Sequence, residues 1–303
     1  MLKSSNEWDT LKEIVVGKAD FANWPTNDPV FAKESEKTSW KETPVPNGAV
    51  PQQIIDESNE DLEALCEALR KENVLVHRPD DMNFQELGGM YNYCPRDRLI
   101  VADDAIIDCN MMYPCRNMEI DALPMATGPA TKIHTMPRDQ GMILDAANVA
   151  RLGNDWLYLL SASGNMAAYE WLCEQLPNKN IEAVNFYSGV HIDSTIVPIR
   201  EGVALVNGTR VTPATLPKVL KDWHCVYVDD VVAQDFYQYP YASKWIALNM
   251  LMINPNLAVV DKHQKNLIKI LQGLNVNVIM LELRHSRTLG GGFHCVTLDL
   301  HRE

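Results

Sequence analysis

The chain has 303 residues, 46% of them hydrophobic and 22% charged, a composition that suits a globular protein with a large core. Its formal net charge is −13 and it has no basic run, which argues against a nucleic-acid partner and favours the approach of a cation. No apolar stretch approaches the roughly 18–20 residues of a membrane span, and the start, Met1–Trp8, lacks the apolar core of a signal peptide, so no membrane partner and a cytoplasmic location are expected.

In chain order, Leu11–Gly17 reads as a strand. A helix is expected over Asp61–Glu72, with Leu62, Leu65 and Leu69 on one face, followed by a strand at Val74–Arg78. Two strands flank Asp103-Asp104, and the stretch from Asn110 to Gln140 has no clear period. From Asp145 a full unit follows: strands around the turn Gly153-Asn154-Asp155, a helix carrying Met166, Tyr169, Leu172 and Leu176, and a strand at Ile181–Phe186. The next unit has a strand at His191–Ile199, a turn at Arg200-Glu201-Gly202, and a return strand at Val203–Val206 that ends at Asn207-Gly208. Helical spacing at Leu216, Val219, Leu220 and Trp223 and a closing strand at Cys225–Val228 complete it. A further unit from Ser243 turns at Asn254-Pro255-Asn256. Its helix carries Leu267, Ile270, Leu271 and Leu274, and its last strand is Val276–Leu283. Cys295–His301 is expected to pair with Leu11–Gly17, so the last unit is split across the termini. Five ββαβ units closed in this way imply one ring-shaped domain over residues 1–303. An open α/β sheet with the same spacing is the alternative.

Asp97, Asp145, His191, Ser243 and Cys295 each fall at or just before the first strand of a unit, places that converge near the axis of a ring. Of the seven cysteines, Cys66, Cys94, Cys109, Cys115, Cys173, Cys225 and Cys295, none forms a Cys-x-x-Cys pair, so neither a zinc site nor a disulfide framework is expected. Cys295 is the best nucleophile candidate, because Gly290-Gly291-Gly292 before it allows close backbone approach. A flexible turn ahead of a core cysteine is the other reading. His191 and Asp193, two apart on the expected strand, share a face, either as a functional or as a surface pair. His294 is expected to point away from Cys295. Asp97 in Pro95-Arg96-Asp97 reads equally as part of a solvated turn, and Asp145 as a cap. The chain has no phosphate-binding glycine motif and no Gly-x-Ser-x-Gly elbow, so nucleotide and flavin chemistry are not expected.

Several strings together resemble one family. They are Ser286–Asp299 (Ser-Arg-Thr-Leu-Gly-Gly-Gly-Phe-His-Cys-Val-Thr-Leu-Asp), Met90-Tyr91 with Pro95-Arg96-Asp97, Asp145-Ala146-Ala147, His191-Ile192-Asp193 and Ser243-Lys244-Trp245. Near the start, Asn6-Glu7-Trp8-Asp9 and Glu13–Gly17 match as well. In this order they resemble the arginine:glycine amidinotransferases of the guanidino-group-modifying (pentein) superfamily. The resemblance implies a five-bladed α/β-propeller of ββαβ modules with pseudo-fivefold symmetry. It implies that Cys295 is the nucleophile, His191 the general acid/base and Asp145 the carboxylate that works with it. Asp97 and Asp193 then hold the guanidinium, and Arg210 and Ser243 the carboxylate of arginine. The segment between Asp97 and Asp145 is shorter than in the glycine enzymes, and Asn148 replaces a family aspartate. Ser188, Val190 and Ala242 also depart from the family pattern near the acceptor, which puts the acceptor more in doubt than the donor.

A guanidinium is a poor electrophile because resonance spreads its charge. Paired carboxylates hold it by bidentate hydrogen bonds, a thiolate attacks it, and a histidine protonates the departing amine. The expected partners are L-arginine and an amine acceptor such as glycine, with ornithine released, no metal or organic cofactor, and a homodimer as the ordinary assembly. A hydrolase on the same scaffold, in which water captures the amidino-cysteine, and a binding protein without catalysis are the alternatives.

Overall fold

The computed structural model describes residues 2–35, 47–129, 131–187, 189, 191–233 and 241–303. Among these residues five sheets of three strands make up the body, together with a short antiparallel pair, Asn23–Trp24 against Gly48–Ala49. In each sheet the middle strand runs antiparallel to one neighbour and parallel to the other. The first blade is built from both ends of the sequence: Leu11–Val16 lies between Thr297–Arg302 and Leu75–His77. The second contains Leu99–Ala102, Ala105–Asp108 and Lys132–Thr135, and the third Val149–Leu152, Asp155–Leu159 and Asn180–Val184. The fourth contains Ile196–Arg200, Val203–Asn207 and His224–Val228, and the fifth Leu251–Asn254, Leu257–Asp261 and Asn277–Leu281.

Burial orders the strands within a blade. Leu99–Ala102, Val149–Leu152 and most of Thr297–Arg302 are buried throughout, whereas Lys132–Thr135 and Asn277–Leu281 are partly exposed. A strand covered on both faces reads as an unbroken apolar run, and an outer strand alternates. The blades are tied to one another around a ring. Arg96 Nε donates to Thr297 O (2.9 Å), Arg151 Nη1 to Val101 O (2.9 Å) and Ile192 N to Ala147 O (3.0 Å). Arg200 Nη2 donates to Leu274 O (2.9 Å) and Arg302 Nη2 to Met252 O (2.9 Å). The architecture is a five-bladed α/β-propeller with mixed three-stranded blades.

Three blades carry an α-helix between their parallel strands: Gln52–Lys71, Met166–Gln175 and Lys265–Gly273. The helix anticipated from Leu216, Val219, Leu220 and Trp223 is a single 3-10 turn at Lys218–Leu220. Pro217 disfavours helical dihedrals at Leu216, and the strand at His224 leaves little chain for a longer helix. The apolar spacing reported burial of Leu220 rather than helix length. In the second blade the linking element is a 3-10 run, Pro114–Ala122, which explains the lack of a 3.6-residue period there.

A buried ion cluster joins blades across the ring. Arg151 donates to Glu7 (2.9 and 3.0 Å), Asp299 (2.6 Å) and Ser4 (2.9 Å), while Arg302 (2.9 Å) and Arg96 also pair with Asp299. Burial would push the Glu7 and Asp299 carboxyls up, but the arginine charges outweigh it and hold both well below the usual carboxylate range.

Candidate active site

Asp97, Asp145, His191, Ser243 and Cys295 each sit where the chain turns into the first strand of a blade, whereas Arg210 follows the middle strand Val203–Asn207. Asp97 ends the 3-10 turn Pro95–Asp97, and Asp145 precedes the turn Ala146–Asn148. Ser243 caps Lys244–Leu248, its Oγ accepting from Trp245 N (3.3 Å), and Cys295 lies two residues before Thr297. The glycines ahead of Cys295 have separate reasons. Gly290 ends the helical turn Ser286–Leu289 with φ +80°. A Cβ on Gly291 would stand 2.5 Å from Cys94 Sγ, and one on Gly292 would stand 2.7 Å from the Asn249 carbonyl oxygen. The backbone therefore passes where no side chain fits. Asn249 Oδ1 accepts from both His294 N (3.1 Å) and Cys295 N (2.9 Å), which fixes the nucleophile candidate.

The strand expected at His191–Ile199 begins only at Ile196. Thr195 N and Ile196 N both donate to Ile192 O (2.7 and 3.1 Å), so His191 and Asp193 lie on a turn, not on one face of a strand. His191 adopts φ +58°, unusual for a residue with a Cβ. It is held there by its N–H to Asn148 Oδ1 (3.1 Å) and by the Tyr187 hydroxyl on its carbonyl. Asn148 also donates through Nδ2 to Ser163 Oγ (2.7 Å), which a carboxylate could not do.

The turn nevertheless brings the candidates together. His191 Nε2 donates to Asp145 Oδ2 (3.1 Å), and Nδ1 faces Asp97 Oδ1 at 3.7 Å. Burial would lower the His191 pKa, but the Asp97 charge and the Asp145 hydrogen bond and charge outweigh it and raise it to about 9. At neutral pH the ring is an imidazolium. Asp97 Oδ2 accepts from Arg116 Nη1 (2.9 Å), while its buried Oδ1 has no hydrogen-bond partner among the described residues. Burial raises the Asp97 pKa even though His191 and Arg116 pull it down. Asp193 Oδ2 accepts from Cys295 Sγ (3.2 Å) and His294 Nδ1 (3.0 Å). Burial, then the Asp193 and Asp97 charges, push the Cys295 thiol well above its ordinary value, so the resting group is a thiol.

Two cavities meet at His191. One, of about 270 Å³, is lined by Cys295, Asp193, Arg210, Ser243, Ser194 and Tyr187. The other, of about 260 Å³, is lined by Asp97, Asp145, Arg116 and the rings of Tyr91 and Tyr113. Gly189, His191, Tyr241, Ala242 and Gly290 line both. Arg210 is stacked 4.3 Å over the Tyr187 ring, and its Nη1 donates to Thr195 Oγ1 (2.8 Å) and Ser194 Oγ (3.2 Å). Its Nε and Nη2 make no hydrogen bond among the described residues. The fork is aimed but not filled. Ser188 and Val190 lie outside the described residues.

His294 departs from expectation. It is buried and its two ring nitrogens donate to Asp193 (3.0 Å) and Glu7 (3.0 Å), so it links the site to the ion cluster. The strand alternation that put it opposite Cys295 does not apply, because both precede the strand. Arg116 with Glu119, and Asn249, were also missed. Arg116 and Glu119 lie in the segment without a period, and an isolated Asn carries no signal. Among the described residues no group of three or more potential ligands is arranged to hold a metal ion.

No protein-family profile matches the chain. It is 38% identical to inosamine-phosphate amidinotransferase 1 of Streptomyces glaucescens, over 98% of this chain and 95% of that one. It is 27% identical to the L-arginine:L-lysine amidinotransferase of Pseudomonas savastanoi pv. phaseolicola, over 99% and 94%. The solved structure of the inosamine-phosphate amidinotransferase of Streptomyces griseus superposes with a TM-score of 0.89 and 33% identity, covering 100% of this chain and 97% of that one.

Proposed function

The chain belongs to the amidinotransferase family with the pentein fold, and on that premise we propose that it moves the amidino group of L-arginine to an amine through a covalent intermediate on Cys295. The observation that carries this reading is His191. Its Nε2 is held by Asp145 (3.1 Å), and its Nδ1 faces, at 3.7 Å, a buried Asp97 oxygen that makes no hydrogen bond among the described residues.

Arginine enters with its carboxylate on the open fork of Arg210 and on Ser243. Its guanidinium reaches Asp193 and the unpartnered Oδ1 of Asp97. Arrival of this cation offsets the carboxylate field that keeps Cys295 protonated, and the thiol proton is released to solvent. The sulfur then attacks the central carbon. The C–N bond to the ornithine side breaks, and His191 gives its proton to the departing nitrogen. Ornithine leaves and an amidino-cysteine remains. In the second half the acceptor amine attacks the same carbon and returns a proton to His191. The C–S bond breaks with its electron pair on sulfur.

The acceptor differs among the relatives: the names of two specify inosamine phosphate and lysine. Here it is an amine, and glycine has no special claim. We place the enzyme in the cytoplasm, where its seven unpaired thiols stay reduced, and expect a homodimer.

The test is incubation with L-arginine, with and without a panel of amines, followed by mass spectrometry of products and of the Cys295 peptide. Ornithine, an amine-dependent guanidino product and an amidino adduct lost in Cys295→Ala are expected. Citrulline formed without any amine would make the enzyme a hydrolase and overturn the reading.

A further inference from the structure

The reaction proposed above needs one seat for the arginine carboxylate, and Arg210 with Ser243 supplies it in the cavity that contains Cys295. The second cavity, of comparable size at about 260 Å³, has no part in holding arginine beyond Asp97. At about 30 Å³ per water it holds on the order of nine water-sized groups. It opens onto His191, the group that must take the acceptor's proton, and onto Asp145, which orients it.

Its walls have a definite chemistry. Tyr91, Tyr113, Tyr241 and Met112 supply aromatic and thioether surface, suited to the carbon face of a compact body. The charged groups among the described lining residues are Glu34, Asp97, Asp145, Arg116 and the His191 imidazolium, whose Nε2 is held by Asp145 (3.1 Å). The Arg116 guanidinium is committed: Nη1 to Asp97 (2.9 Å), and Nε and Nη2 to the Glu119 carboxylate (2.8 and 3.0 Å). It also lies 5.0 Å over the Tyr91 ring. A ligand anion at this wall would meet three carboxylates against two cations that carboxylates already engage, Arg116 by Asp97 and Glu119 and His191 by Asp145.

Resting on the transfer reading above, we propose that this second cavity is the acceptor site, separate from the seat of the arginine carboxylate, and that it takes a primary amine on a compact body without an anionic group. The acceptor nitrogen lies at His191 and its body against the tyrosines. Glycine would leave most of the space empty and bring a carboxylate to an acidic wall. A phosphate on the acceptor would meet the same wall. In this respect the chain parts from the relatives named for inosamine phosphate.

The donor and acceptor sites can be read apart. Exchange of labelled ornithine into arginine reports the first half-reaction alone, and formation of the guanidino product reports both. A cyclohexane polyol without an amine is the first probe. It is expected to raise the apparent KM of a ring-amine acceptor several-fold while ornithine exchange changes by less than about twofold. Met112→Trp, which fills the cavity, is expected to lower acceptor kcat/KM at least about tenfold more than it lowers exchange. Among acceptors, an aminocyclohexanol is expected to exceed both its phosphate ester and glycine by about tenfold in kcat/KM. Inhibition of exchange by the polyol in competition with arginine would mean one shared seat and overturn the proposal. So would absence of any inhibition, or preference for the phosphorylated or carboxylate-bearing amine. If Met112→Trp fails to fold, the polyol result on the unaltered enzyme decides. Failure of the unaltered enzyme to exchange ornithine at all would instead defeat the transfer reading.

Discussion

Two buried clusters of charge lie side by side in this molecule and are linked through His294. In the cluster across the ring, Glu7 and Asp299 face Arg96, Arg151 and Arg302, and both carboxyls lie well below their ordinary range. At the candidate site, Asp97, Asp145 and Asp193 surround His191, Asp97 is raised, and the Cys295 thiol is raised well above its usual value. In one set three arginines face two carboxylates; in the other three aspartates share Arg116, His191 and His294, and Asp97 Oδ1 makes no hydrogen bond among the described residues. On the transfer reading proposed above, the difference separates a structural use of buried ions from a functional one. The matched set resists change, whereas the unmatched set gains most when a cation arrives from outside.

The largest effect on folding is therefore expected in the matched cluster. Arg151 donates to Glu7, Asp299, Ser4 and the Val101 carbonyl. Arg151→Met leaves two buried carboxylates short of partners and is expected to cost about 3–5 kcal/mol, read from denaturant unfolding. A loss under about 1 kcal/mol would mean that the cluster is not the brace described. Next in size is Arg210→Ala at the unmatched site. The arginine KM is expected to rise roughly 10- to 100-fold, the worth of one or two charged hydrogen bonds, with kcat and stability nearly unchanged. An unchanged KM with a lower kcat would remove Arg210 from the carboxylate seat.

Much of this contrast could be read in the sequence, but unevenly. Apolar runs located strands where the first strand of a blade is covered on both faces, as at Leu99–Ala102. The equivalent turns before those strands pointed to Asp97, Asp145, His191 and Cys295 as a set. The ion cluster left no such trace. Glu7 and Arg151 are 144 residues apart, and a pairing of that kind has no local period. Arg116 and Glu119 were hidden for another reason, since they lie on a 3-10 run that gives no amphipathic pattern. His294 was misjudged because strand alternation was applied to residues that precede the strand.

The two clusters should also fail at opposite ends of the pH scale. Glu7 and Asp299 are depressed in the folded state, so their stabilisation is present above the ordinary carboxylate range and is lost as pH falls through their folded values. His191 is raised to about 9, so its stabilisation is full below about 6.5 and is lost as pH rises through about 9. Asp145→Asn removes a hydrogen bond and a charge from the imidazolium. It is expected to lower the His191 titration midpoint, followed by NMR of the ring, by about a unit or more, and to shrink only the alkaline loss. The acid limb should not move. A midpoint near that of a free imidazole in the unaltered protein would contradict the charged resting ring.

The smallest expected change in stability makes the sharpest comparison. Asp97 is a buried carboxyl whose pKa is raised although Arg116 and His191 both favour its charge. A carboxyl raised on folding costs stability at pH values above both its unfolded and folded pKa, because its charged form is less favoured in the folded protein. Asp97→Asn keeps an oxygen for Arg116 Nη1, the one hydrogen bond the carboxylate makes among the described residues. At neutral pH it should leave the protein as stable as before or more stable by up to about 1 kcal/mol, a gain of some 2–4 °C in Tm at most. Arginine binding should fall at least about tenfold, because the unpartnered Oδ1 is lost as a charged acceptor for the guanidinium. A variant that is more stable and less able to bind would show that the site carries a charge deficit the fold does not need. A variant that unfolds easily would place Asp97 with the matched cluster instead, as a partner that Arg116 cannot lose.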